Sequence, residues 1–153
     1  MNDYLAEIEK YATLYKSLPF VEEIYLCNSI TFNALHENSD IDLFIITRPE
    51  RIRTAKFWAM LFCTFAGIKR SLKKKGKRIC LSFFITADHQ NLYALSLPHL
   101  DIYLSYRIQH LVLLYQSNPT KQPEIFKKNK RVQGVLPNYP SKQCIFLGNQ
   151  VFS

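Results

Sequence analysis

The sequence predicts a small α/β (α+β) sandwich in which a mixed β-sheet packs against helices. Two observations carry that prediction. Apolar, strand-like runs at residues 21–27, 41–47 and 79–86 are separated by stretches with helical apolar spacing, and proline or glycine lies between most of them. Helix and strand patterns that alternate in this way close into layers around one core. A chain of 153 residues can bury such a core, and 48% hydrophobic with 21% charged residues excludes a disordered chain.

In chain order, Leu5, Ile8, Ala12 and Tyr15 recur on one helical face of residues 3–17, with Asp3 as N-cap and Pro19 as the stop. Residues 21–27 form a strand. Asn28 and Ser29 then open a short helix or turn to about His36, and 37–39 are loop. Residues 41–47 are a strand with an unbroken apolar run, which suits a central position. Pro49 stands near the start of a long helix over 50–72 with Phe57, Trp58, Leu61, Phe62, Phe65 and Ile68 as its core residues, and Gly76 breaks the chain again. Residues 79–86 are a third strand. Pro98 and Asp101 lead into a helix over 101–116, whose apolar face holds Leu104, Ile108, Leu111, Val112 and Tyr115. A short basic helix is expected at 124–132, then Pro137, Pro140 and a brief apolar piece from Cys144 to Phe146. The expected division is a domain over 1–117 and a basic C-terminal extension over 118–153, the start of a longer helical region.

The net charge of +8 favours anionic partners. Lys69, Arg70, Lys73, Lys74, Lys75, Lys77 and Arg78 form either a solvated helix end or a basic lip that steers a nucleotide or nucleic acid. Lys121, Lys127, Lys128, Lys130 and Arg131 form a looser cluster open to the same two readings. Cys27, Cys63, Cys80 and Cys144 show no paired metal spacing and read as reduced core residues of a cytoplasmic protein. The polar start has no signal-peptide pattern, and the apolar run from Phe57 to Ile68 is too short to span a bilayer, so no membrane partner is expected. His36, His89, His99 and His110 are scattered and read as structural or surface residues. There is no P-loop and no GxGxxG, which argues against a P-loop ATPase or a dinucleotide enzyme.

The chemistry concentrates at Asp40 and Asp42. Residues two apart on an extended strand share a face, so two like charges stand side by side at the head of an otherwise apolar strand. A divalent cation with oxygen ligands relieves that repulsion. The plainer alternative is a loop-capping Asp40 and an Asp42 on a sheet edge. Upstream, Asn28-Ser29 turns the chain out of a strand into a helix start, where free N–H groups and the dipole favour phosphate.

The segment from Leu26 to Asn33, continued by Asn38-Ser39-Asp40-Ile41-Asp42-Leu43, resembles the signature of the polymerase-beta-like nucleotidyltransferases: a strand, Gly-Ser, about ten residues, then Ser-Asp-x-Asp opening the next strand. The match is close over residues 20–47, and the element order extends it to about 116. The resemblance implies a nucleotidyltransferase fold in which Asp40 and Asp42 are catalytic and hold Mg2+, with a two-metal site in an active enzyme. Asn28 and Ser29 would bind the phosphates of an NTP such as ATP. A nucleoside monophosphate would pass to an acceptor hydroxyl on a small molecule, protein or RNA. Three departures stand out. Asn28 replaces the usual Gly, Asn33 replaces a second Gly, and Ser82 occupies the expected position of a third carboxylate on the strand 79–86. A serine there is no base at neutral pH without help. The alternative expectations are therefore a catalytically impaired nucleotide-binding or partner-binding module, or a basic RNA-binding domain in which the acidic pair is incidental.

Overall fold

A computed structural model of the chain describes residues 16–27, 40–67, 79–92 and 102–129. In chain order these form β1 (Val21–Cys27), β2 (Ile41–Thr47), α1 (Ile52–Phe65), β3 (Ile79–Thr86), α2 (Ile102–Gln109), β4 (Val112–Gln116) and α3 (Glu124–Lys128). The strands make one four-stranded sheet in the order β3-β2-β1-β4. β1 runs antiparallel to β2 and β4, while β2 and β3 are parallel. The chain is thus of mixed α and β class with a mixed sheet, as its alternating patterns predict, and β2 is an inner strand.

Side chains alternate across the sheet and build two cores. On one face Ile24, Leu26, Ile41, Leu43, Ile45 and Ile79 meet Ala55, Ala59 and Cys63 of α1. On the other, Tyr25, Cys27, Phe44, Ile46 and Leu113 meet Ile108 beside Leu104 of α2 and Ile125 beside Phe126 of α3. Both faces of β1 and β2 are therefore covered, which explains why their sequences read as continuous apolar runs. Ile125 and Phe126 belong to this second core, and Asn129 is buried beside them in the chain.

Four expectations change. The long helix is shorter, ending at Phe65 before Ala66 and a left-handed Gly67 (φ 65°). Its buried face also differs in part: Phe62 packs against the first core as expected, but Phe57, Trp58 and Phe65 are exposed, Phe65 by 80%. The helix lays its small residues Ala55, Ala59 and Cys63 on the sheet, at i, i+4 and i+8, because small side chains allow close approach. Apolar residues surround the helix, so periodicity could not choose the buried face. Third, the expected helix over 101–116 stops at Gln109, and residues 112–116 form β4. Pairing with β1 satisfies the backbone of the Val-Leu-Leu-Tyr run, and Leu113 becomes buried. The short basic helix likewise ends early, at Lys128, where buried Asn129 takes its C-cap position. The expected helix over 3–17 falls largely outside the described residues, as do the short helix or turn 28–36, Ile68 and Gly76. The basic run 69–78 and everything after Asn129 also lie outside.

Among the described residues, no helix is long and apolar enough to cross a membrane.

Candidate functional site

The face of the sheet under α2 and α3 is ordered in rows, because residues paired across strands stand side by side. One row is Cys27, Asp42 and Cys80. The next is Leu113, Tyr25, Phe44 and Phe83. The last is Gln116, Glu23, Ile46 and Ile85. Asp42 thus heads the same face that Phe44 and Ile46 bury. It is half-buried, as is Asp40, which stands one residue before the strand. β2 begins with its acids where β1 ends: Cys27 is the Cα partner of Asp42. The chain accordingly leaves the sheet at Cys27 and returns at Asp40. Asn28 and Ser29 themselves lie outside the described residues, as does Asn33.

The strand beside the acids contributes no carboxylate. Ser82 falls at a β-bulge: Leu81 pairs with Leu43 and Phe83 with Phe44, leaving Ser82 without a partner on β2. The residue in register with Asp42 is Cys80. Asp88 lies beyond the opposite end of β3, where Thr86 pairs with Thr47, roughly 20 Å along the strand from Cys80. It is exposed, with its Oδ2 3.1 Å from His89 Nδ1. Glu37 and Asp101 are outside the described residues. Among the described residues, no group of three His, Cys, Asp or Glu side chains is placed to hold a metal. Two neighbouring carboxylates nonetheless suit Mg2+, which takes one or two protein carboxylates and completes its shell with phosphate oxygens and water.

The two thiols of the row differ from a redox pair. Cys27 and Cys80 flank Asp42 on opposite strands, so roughly 10 Å of sheet separates them, beyond disulfide reach. Burial, and after it the negative charge of Asp42, push the Cys27 thiol up to about 12 against the opposing charge of Arg107. Cys27 is therefore a protonated, inert thiol, and its Sγ–H points to the Asp42 carbonyl at 3.5 Å.

Sequence reasoning missed Arg107. It is exposed on α2, with its guanidinium 4.9 Å from the ring centre of Phe83. Together with Cys27, Phe44 and Leu104 these two residues border a pocket of about 50 Å3. The available signal was composition: Arg107 is the sole charged residue in Ile102–Gln109.

In comparisons with known proteins, no family model, no curated protein and no solved structure matches the chain.

Proposed function

We propose that the chain is a nucleotidyltransferase-like domain that binds an NTP with Mg2+ at Asp40 and Asp42 and transfers a nucleoside monophosphate to an acceptor hydroxyl. The observation that supports it most is the pairing of Cys27 with Asp42, which brings the exit of β1 and the acidic start of β2 to one end of the sheet. Asp40 and Asp42 would hold the metal, and the Asn28-Ser29 turn would receive the phosphates. Bound Mg2+ would neutralise charge on the triphosphate. The acceptor oxygen bonds to the α-phosphorus, the bond to pyrophosphate breaks, and the hydroxyl proton passes to water. Residues of the chain contribute by positioning and by fixed charge. A cytoplasmic location belongs to the same proposal. Cys27, Cys63 and Cys80 are thiols and not disulfides, which suits a reducing compartment.

A second reading is favoured by β3, which carries no carboxylate: Cys80 is in register with Asp42, and Ser82 falls at the bulge. In that reading the domain binds the nucleotide without turnover, as a module for a partner protein.

Calorimetric titration with ATP, with and without Mg2+, tests the common part. Wild type should bind, and Asp40→Ala with Asp42→Ala should abolish the Mg2+-dependent component. Equal binding by the double variant sinks the assignment. Pyrophosphate release from labelled NTPs with mixed acceptors then separates the readings: release supports transfer, and binding without release supports the module.

A further inference from the structure

The pocket under α2 shares a wall with the acidic row. Cys27 is the Cα partner of Asp42, and Phe44 is the next residue of β2 on the same face. Leu92, Leu104 and Ile108 close it from above, so its lining is apolar apart from Arg107. Arg107 stands exposed over Phe83, and among the described residues it forms no ion pair. Its planar fork is suited to a carboxylate or a phosphate. The volume of about 50 Å3 accommodates only about three or four non-hydrogen atoms, given that one water needs about 10–15 Å3. The chain therefore offers a short apolar slot with a cation at its mouth, and one lining residue, Cys27, is paired across the sheet with Asp42.

We propose that this pocket is the acceptor subsite and takes a small organic anion. A short aliphatic part would fill the slot, a carboxylate or phosphate would meet Arg107, and a hydroxyl would face the Asp40–Asp42 end. The acceptor role rests on the nucleotide reading above; the binding site itself does not. Arg107 is a binding residue here, and Phe83 positions its guanidinium.

The test is a methyl NMR titration of the full chain, without magnesium or nucleotide, using butyrate, butyl phosphate and 1-butanol as probes. Both anions should move the methyl signals of Leu92, Leu104 and Ile108 in a saturable way, and 1-butanol should bind about tenfold more weakly. Arg107→Gln, a change at an exposed position, should weaken the anions about tenfold and leave 1-butanol unchanged, in line with the loss of a charged hydrogen bond. Leu104→Trp should fill the slot and abolish all three responses. The tighter anion identifies the head group as carboxylate or phosphate. Absent methyl shifts, or anion affinity untouched by Arg107→Gln, would overturn the proposal while leaving the nucleotide reading standing. Intact methyl shifts in a protein that does not bind Mg2+–ATP would instead overturn the nucleotide reading and, with it, the acceptor role.

Discussion

Asn129 holds the α3 side of the molecule together, and removing its amide should be among the most damaging single changes. It is 1% exposed. Its Oδ1 accepts from the Leu92 N–H at 2.9 Å, while its Nδ2 donates to the carbonyls of Gln90 and Ile125, each at 2.7 Å. The partners fix the amide orientation, because an N–H needs an acceptor and two carbonyls need donors. Asn129→Ala would leave these three backbone groups in a dry site. An orphaned buried group costs about 1–3 kcal/mol, with the N–H at the upper end because a carbonyl tolerates partial satisfaction better. The expected loss is about 3–5 kcal/mol, a large share of the stability of an ordinary domain. For a chain of this size the melting temperature should fall by about 6–20 °C. Asn129→Asp should be no better, since it keeps the acceptor but turns a carboxylate toward two carbonyl oxygens. Urea unfolding of wild type and both variants measures this. Leu92 lines the pocket under α2, so its methyl signals should shift as well. A loss under 1 kcal/mol for Asn129→Ala would refute the clamp and show that water already serves these groups.

Further outcomes follow from the two cores and the rows. Ala59→Leu should destabilise by about 1–3 kcal/mol, because Ala59 is fully buried between α1 and the sheet. Phe65→Ser should change stability by under about 0.5 kcal/mol, since Phe65 is 80% exposed; urea midpoints with the reverse order would show the helix face to be wrongly assigned. Glu23 is buried, accepting from the Tyr25 hydroxyl at 2.5 Å and from Gln116 Nε2 at 3.3 Å, and burial raises its carboxyl above the ordinary 4.5 despite these bonds and Lys121. The raised group stabilises the fold most below about pH 4.5 and loses that contribution as pH climbs through its folded value. Glu23→Gln should therefore gain stability relative to wild type between pH 4 and 7, and an equal difference at both pH values would contradict the assignment. Cys27 should resist iodoacetamide at pH 8 in the native protein. Asp42→Asn should make it more reactive at pH 10 by removing a nearby negative charge. Mass spectrometry of the alkylated peptides would show whether either effect is missing.

The strands were legible because each carries its own signal. β1, β2 and β3 end where apolar runs meet Asn, Pro or polar residues, and burial on both faces leaves those runs unbroken. What failed were choices that only tertiary contact makes. Residues 112–116 read equally as a continuing helix, and the free edge of β1 decided for a strand. Apolar residues ring α1, and the need for a close approach chose its alanines over Trp58 and Phe57. Asn129 and Glu23 each bury themselves with the help of distant partners, Gln90 and Leu92 for Asn129 and Gln116 for Glu23, which no local pattern announces.

The acidic pair shows the same division between local and non-local information. The i, i+2 spacing told which face Asp42 shares with Phe44, but not what stands beside it. Register supplies that: a protonated thiol on one side and Cys80 on the other, where a base would be wanted. The bulge at Ser82 has a further consequence. It moves Phe83, in place of residue 82, into register with Phe44. The position expected to carry a third acid therefore does not continue the row pattern toward the pocket, and an aromatic ring that carries Arg107 does. Replacing Ser82 by Asp alone should consequently not create turnover in an inactive domain. Cys80→Asp, in register with Asp42, is the change that should raise magnesium-dependent ATP binding in calorimetry. A stronger gain from Ser82→Asp than from Cys80→Asp would show that register does not govern this site.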